Sequence, residues 1–364
     1  MSDLPDPDRI DGAPHPRETA DLFGQDRAAA EFLEAFNSDR LHSGWLISGP
    51  QGVGKATLAW RIATFLLAAR SPDGGMFGDP PAPISLHVDP ENPDAALVRA
   101  GSHPRLFRLV RGASGANEDG DKLSQTISVD RVRKLKSFFH LSASDGGRRV
   151  VIVDSVDDMA PAAANALLKE LEEPPAKTTL LLISHQPSKL LPTIRSRCRE
   201  LRCHDLPPAA LQQALAQAGH NIAESEALTS LSGGSVGRAI TLLNLDGLPL
   251  YASLVKLLGG IPRIDRPALL ALANSCTGKG ADTRFGLTLD LIDHFVARAA
   301  RAGLLGEPAT QGAPGEARLL SRLSPDDRAA RAWAQLQQDL TARARHGRAV
   351  NLDPAALILD TIFK

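Results

Sequence analysis

"GPQGVGKATL", Gly49 to Leu58, follows a short apolar run, "GWLIS" (44–48), and leads into a segment where Leu58, Ile62, Phe65, Leu66 and Ala69 recur three to four residues apart. A buried strand, a glycine-rich turn and a helix in that order are what a phosphate-cradling loop requires. Glycines let backbone N–H groups face phosphate oxygens, and the helix N-terminus adds a favourable potential. Gly49, Gly52 and Gly54 supply the turn, and Lys55 supplies the cation. One position departs from the pattern. Ala56 stands where Ser or Thr normally holds magnesium. Thr57 is a poor substitute, since one step along a helix rotates the side chain by about 100°.

Two more apolar runs without alternation, "RVVIVD" (149–154) and "TLLLIS" (179–184), read as strands buried on both faces. After the first of these, Pro161 opens a helix whose Ala164, Leu167, Leu168 and Leu171 form one stripe that ends at Pro174-Pro175. Strands alternating with helices imply an α/β domain, a parallel sheet with flanking crossover helices. Segments 71–100 and 111–124, rich in Gly, Pro, Asp and Ser, read as surface insertions. Past "DLPP" (205–208) the strand signal ends: 209–245 reads as short helices interrupted by "SGGSVG", and about 249–364 as helical throughout. That last stretch has a long amphipathic candidate at 284–302 (Phe285, Leu289, Ile292, Phe295, Val296, Ala299) and a polar loop at 305–317. The expected organisation is a flexible tail (1–22), a nucleotide-binding α/β domain (23–206), a small helical lid (207–247) and an all-α C-terminal domain (248–364).

With 364 residues and 43% hydrophobic content the chain can fill more than one core, and its net charge of −1 argues against autonomous wrapping of DNA. Cys198, Cys203 and Cys276 are an odd, scattered set that supports neither a disulfide framework nor a four-cysteine zinc site. No run of about 18 apolar residues occurs, and the acidic, Pro-rich N-terminus does not read as an export signal. A reducing cytoplasmic location is expected.

The run "RVVIVD" ends on Asp154, where a carboxylate at the carboxyl edge of the sheet could face magnesium through water. A hydrolytic site also needs a base to orient the attacking water, commonly Glu at the next position. Here that residue is Ser155, and a neutral hydroxyl cannot do the work. Asp157 and Asp158 read as solvated or helix-capping acids.

"FGQ" (23–25), "GPQGVGK" (49–55), "VVIVDSVDDM" (150–159), "NALLKELEEPP" (165–175), "LLLISHQPSKLLPTIRSRC" (180–198) and "GGSVGRA" (233–239) stand in the order found in bacterial clamp-loader AAA+ subunits. The chain resembles that family well over about 23–246 and more weakly through "VNLDPAALILDTIF" (350–363). The resemblance implies that Arg197, in "SRC", reaches the ATP of a neighbouring subunit as an arginine finger supplied in trans; the alternative is an ordinary basic surface cluster with Arg195 and Arg199. It also implies that Ser184 is the polar sensor at the end of a strand and that Arg238 is the helical-module arginine that approaches the γ-phosphate. Nucleotide-binding residues are then Gly49, Gly52, Gly54, Lys55, Thr57, Asp154, Ser184 and Arg238, with ATP or ADP held without hydrolysis. Relatives with a cysteine-rich zinc module carry it where 71–104 here has no cysteine, so no zinc is expected, and His87, His103 and His185 are isolated. The implied partners are the tau/gamma and delta subunits of a clamp loader and, through the assembly, the sliding clamp and primed DNA, with no membrane. The C-terminal helical domain would be the collar that joins the subunits. An alternative is the catalytic tau/gamma-type ATPase subunit, which should have Ser or Thr at 56 and Glu at 155.

Overall fold

β1 (Gly44–Ser48), β2 (Leu106–Val110), β3 (Arg149–Asp154), β4 (Thr178–Ser184) and β5 (Arg199–Arg202) form a five-stranded sheet in the order β2-β3-β4-β1-β5. Every neighbouring pair is parallel. This computed structural model describes residues 6–7, 9–69, 82–113, 123–141, 147–222, 225–278, 280–350 and 352–363. β1 and β4 are buried along their whole length and β3 as far as Val153, as unbroken apolar runs require when both faces are covered. The three strands read from sequence are these. β2 and β5 are additions: both lie at the sheet edges and are only partly buried.

The sheet belongs to a first unit, Met1–Asn221 with Gly234–Arg238. Its helices are α1 (Asp26–Asn37), α2 (Lys55–Ala68), α3 (Pro93–Arg99), α4 (Val129–Leu141), α5 (Pro161–Glu172), α6 (Pro192–Arg195) and α7 (Pro208–Gln217). Leu46, Val151, Val153, Leu180 and Leu182 of the sheet pack with Leu135 of α4 and Leu167 and Leu171 of α5 in one apolar cluster. Burial of each such side chain contributes roughly 1.5–3 kcal/mol. α3 corrects the reading of 71–100 as surface insertion: Asn92 caps the N–H groups of Asp94 and Ala95, and Ala95 and Val98 are buried. Residues 71–81 of that segment and 114–122 of the 111–124 segment lie outside the described residues.

The expected flexible tail is also corrected over its described part. His15 is buried, stands edge-on to Trp60 with ring centroids 5.5 Å apart, and faces Asp6 at 3.2 Å. Arg61 of α2 donates to the carbonyl of Ala20, and Gln217 of α7 brackets the backbone of Asp21 at 2.7 and 2.9 Å. Acidic and proline-rich composition points to a tail, but the backbone and a single aromatic find fixed partners on two helices.

The regular elements of the second unit, Ile222–Gly233 with Ala239–Lys364, are all helices among its described residues. α8 (Glu226–Ser232) precedes α9 (Val236–Asn244), whose first turn is grouped with the first unit. Then follow α10 (Gly247–Gly259), α11 (Arg266–Asn274), α12 (Asp282–Leu305), α13 (Glu316–Leu323), α14 (Asp327–Ala349) and α15 (Pro354–Ile362). The stripe expected over 284–302 is the buried face of α12, which packs on α14, α13 and α10. At the start of α13, Glu316 is fully buried with Arg298 of α12, the hydroxyl of Tyr251 and the N–H of Gly312 around its carboxylate. No helix among the described residues is long and apolar enough to cross a membrane.

Candidate functional site

β1, β3 and β4 bring their carboxyl ends together. Ser48 pairs in register with Ser184, and Asp154 with Ile183, so the loop after β1 opens beside Asp154 and Ser184 at the edge where open parallel sheets take ligands. The loop can follow this path only with glycine at its turning points. Gly49 has φ 145°, and a Cβ there would lie 2.3 Å from the carbonyl oxygen of Cys203. Gly52 has φ 77°, and a Cβ there would lie 2.4 Å from Oγ of Ser235. Gly54, also at positive φ, is the N-cap of α2.

Lys55 opens α2 and is 3% exposed. Its Nζ donates to the carbonyl of Gly49 at 2.8 Å and to that of Pro50. Desolvation lowers the ammonium pKa from 10.5 to about 8, against the opposing pull of Cys203, Asp154 and Asp157. The unfolded chain then binds more protons than the folded one between those two values. Below the folded pKa both states are charged and the folded state bears the whole desolvation cost, so stability rises as pH climbs toward 10.5. Urea unfolding should show a gain on the order of 1 kcal/mol from about pH 7 to 9 that Lys55→Met lacks. Equal pH slopes in the two proteins would show that the ammonium is not desolvated.

Two segments distant in sequence hold the loop. The buried amide of Gln25 donates to the carbonyls of Val53 (3.0 Å) and His204 (2.7 Å) and accepts from the N–H of His204 (3.0 Å). From the start of α9, Ser235 Oγ donates to the carbonyl of Gln51 (2.9 Å) and the N–H of Gly237 donates to that of Gly52 (3.0 Å). The N–H of Arg238 closes on Ser235 Oγ at 3.1 Å. Nη2 of Arg238 is buried with no hydrogen-bond acceptor among the described residues, which is the condition an anionic ligand relieves. Gln25 and Ser235 were not singled out from sequence, though both sit in quoted motifs, "FGQ" and "GGSVGRA".

The reading of Asp157 is corrected. Rather than solvated, Asp157 accepts from Ser184 Oγ (2.9 Å) and from the N–H groups of His185 (2.6 Å) and Gln186 (3.2 Å), fixing the end of β4. Asp158 accepts from Ser155 Oγ at 3.0 Å and faces Arg111 at 3.6 Å. The hydroxyl at the position for a water-orienting carboxylate is therefore committed to an aspartate. Desolvation, then the charge of Lys55, lowers the pKa of His185 and favours its neutral form. The glycine cradle, Lys55 and Arg238 fit the phosphates of a nucleotide. Ala56, with Thr57 one step round the helix, does not fit a magnesium ion. No group of three or more His, Cys, Asp or Glu among the described residues is arranged to hold a metal.

The three arginines around "SRC" differ. Arg199 lies over the Trp45 ring, 5.3 Å from its centroid, and Arg195 is exposed. Arg197, 35% exposed, donates from Nη1 to the carbonyl of Thr193 (3.0 Å) and pairs through Nη2 with Glu172 at 2.8 Å.

A family model described as DNA polymerase III, delta subunit, matches residues 24–207. Over 229 residues the chain is 37% identical to the DNA polymerase III subunit delta' of Pseudomonas aeruginosa, the match covering 62% of each chain. Over 249 residues it is 31% identical to the subunit of the same name from Escherichia coli, covering 67% of each. It is 30% identical over 203 residues to the DNA polymerase III subunit gamma/tau of Mycobacterium bovis, covering 56% of this chain and 31% of that one. The match to the Pseudomonas protein thus spans somewhat under two thirds of that relative's length.

Proposed function

The chain belongs to the family of DNA polymerase III delta-prime subunits, and from that premise we propose that it is a clamp-loader subunit that supplies Arg197 to a neighbour's nucleotide while being ATPase-deficient itself. Its partners would be the tau/gamma and delta subunits. With them it would help open the sliding clamp and place it on primed DNA in the cytoplasm. The helical residues 207–247 would serve as a lid and 248–364 as the collar that joins the ring.

The observation that carries the ATPase-deficient reading is the fate of Ser155. Its hydroxyl is bound to Asp158, and Ala56 presents only a methyl group toward the metal position. ATP or ADP would be held by the backbone at Gly49, Gly52 and Gly54, by Lys55 after it leaves the loop carbonyls, and by Arg238, with Thr57, Asp154 and Ser184 alongside. Bound nucleotide would supply phosphate charge to these donors. No carboxylate stands at 155 to orient water for attack on it. The same two positions weigh against the catalytic tau/gamma-type alternative.

The test is turnover by the pure chain. Steady ATP hydrolysis should be absent, and Ala56→Thr alone should not restore it, because Ser155 still lacks a carboxylate. A fluorescent ATP analogue should bind with an affinity insensitive to magnesium. Turnover that Lys55→Ala abolishes would overturn this reading.

A further inference from the structure

We propose that Glu172 is a positioning residue for Arg197; the inference rests on the reading of Arg197 as a finger in trans. Arg197 follows α6 and carries a long side chain that would otherwise lose rotamer freedom on engaging a phosphate. Two tethers on different elements remove that freedom beforehand. Thr193 of α6 holds Nη1 through its carbonyl, and Glu172, the last residue of α5, holds Nη2 through its carboxylate at 2.8 Å. Two fixed points on a planar fork set both the direction and the plane of the guanidinium.

Of the five N–H donors of an arginine, Nη1 offers one to Thr193 and also reaches Ser196 Oγ at 3.4 Å, and the contact with Glu172 uses one on Nη2. Nε–H and the second hydrogen of Nη2 remain, enough for a bidentate approach to phosphate oxygens. Glu172 is 48% exposed, so water screens its charge and the pair does not cancel the finger. A donor already oriented needs no reorganisation when charge develops in the transition state. In the chain, "NALLKELEEPP" thus supplies the orienting carboxylate for "SRC".

The test uses the reconstituted loader with clamp and primed DNA, measuring ATP turnover against ATP concentration. Glu172→Ala should lower kcat roughly two- to five-fold, the scale of an exposed ion pair, with KM for ATP unchanged. Glu172→Gln, which keeps an acceptor oxygen, should recover part of the loss. In an Arg197→Ala background, Glu172→Ala should have no further effect. A loss of the same factor in that background, or an unchanged or raised kcat in the Glu172→Ala loader, would overturn the inference while leaving the finger standing. An Arg197→Ala loader with full turnover would instead remove the finger and Glu172's role with it. Each complex is checked for assembly by size-exclusion chromatography.

Discussion

Replacing Arg197 by alanine is expected to lower the DNA- and clamp-stimulated ATP turnover of the reconstituted loader about ten-fold while leaving assembly intact. Fingers supplied in trans are worth about 10³ to 10⁵ in the best-studied GTPases. One finger among several sites in a ring should show less, because the other sites keep their own. Assembly should survive: the side chain is 35% exposed, and its partner Glu172 returns to water when the guanidinium is removed. Lysine at 197 should rescue poorly, since it keeps the charge and loses the fork that holds Thr193, Glu172 and a phosphate together. A correctly assembled Arg197→Ala complex with unchanged hydrolysis and clamp-loading rates would leave Arg197 as a surface cation and the chain as a scaffold.

The largest stability loss is expected at Glu316. Its carboxylate, fully buried, accepts from Arg298 Nε (2.7 Å) and Nη2 (3.3 Å), from Tyr251 (2.5 Å) and from the N–H of Gly312 (2.5 Å). Arg298, itself 12% exposed, also donates to Ser230 Oγ (2.9 Å) and the carbonyl of Thr310 (2.6 Å). Glu316→Ala removes the carboxylate that Arg298 pairs with among the described residues and leaves a buried guanidinium uncompensated, which costs about 3–5 kcal/mol. That is a large share of a domain stability of about 5–15 kcal/mol. Combining Glu316→Leu with Arg298→Met should recover much of the loss, because replacing both charges by apolar groups avoids the stranded cation. Urea unfolding of the intact chain measures both variants. A loss below about 1 kcal/mol for Glu316→Ala would mean that water reaches the guanidinium freely.

β1, β3 and β4 were legible because strands covered on both faces write themselves as unbroken apolar runs. β5, "RELR", was not: it lies at the sheet edge, and Leu201 is its one buried residue. In β2, "LFRLV", Arg108 interrupts the apolar run; its guanidinium lies over Trp60 at 5.4 Å and reaches Asp6 at 2.7 Å, partners no local pattern announces. The candidate site divides the same way. Glycine turns, Lys55 and the substitution at 56 follow from geometry within one loop and one helical turn. Gln25 meets His204, and Ser235 meets Gln51, across long stretches of chain, and the bond from Ser184 to Asp157 joins two strand ends. Such contacts become visible only when the sheet order is known.

The sheet order also bears on how the chain comes off the ribosome. β1 is the first strand made, yet both of its neighbours come last: Gly44 pairs with Leu180 in β4, and Trp45 with Arg199 in β5. Until residue 184 has emerged β1 has no strand to pair with, and only at residue 202 are both of its ladders complete. Long-range parallel pairing of this kind is slow to form and leaves nascent chains prone to aggregation. The helices on either side of β1 in sequence offer early shelter: α2 packs on β1, and the ring of Phe32 in α1 lies 5.0 Å from that of Trp45 in the finished protein. The interval between the synthesis of β1 and that of β4 is therefore the one in which the buried strand stands without its partners.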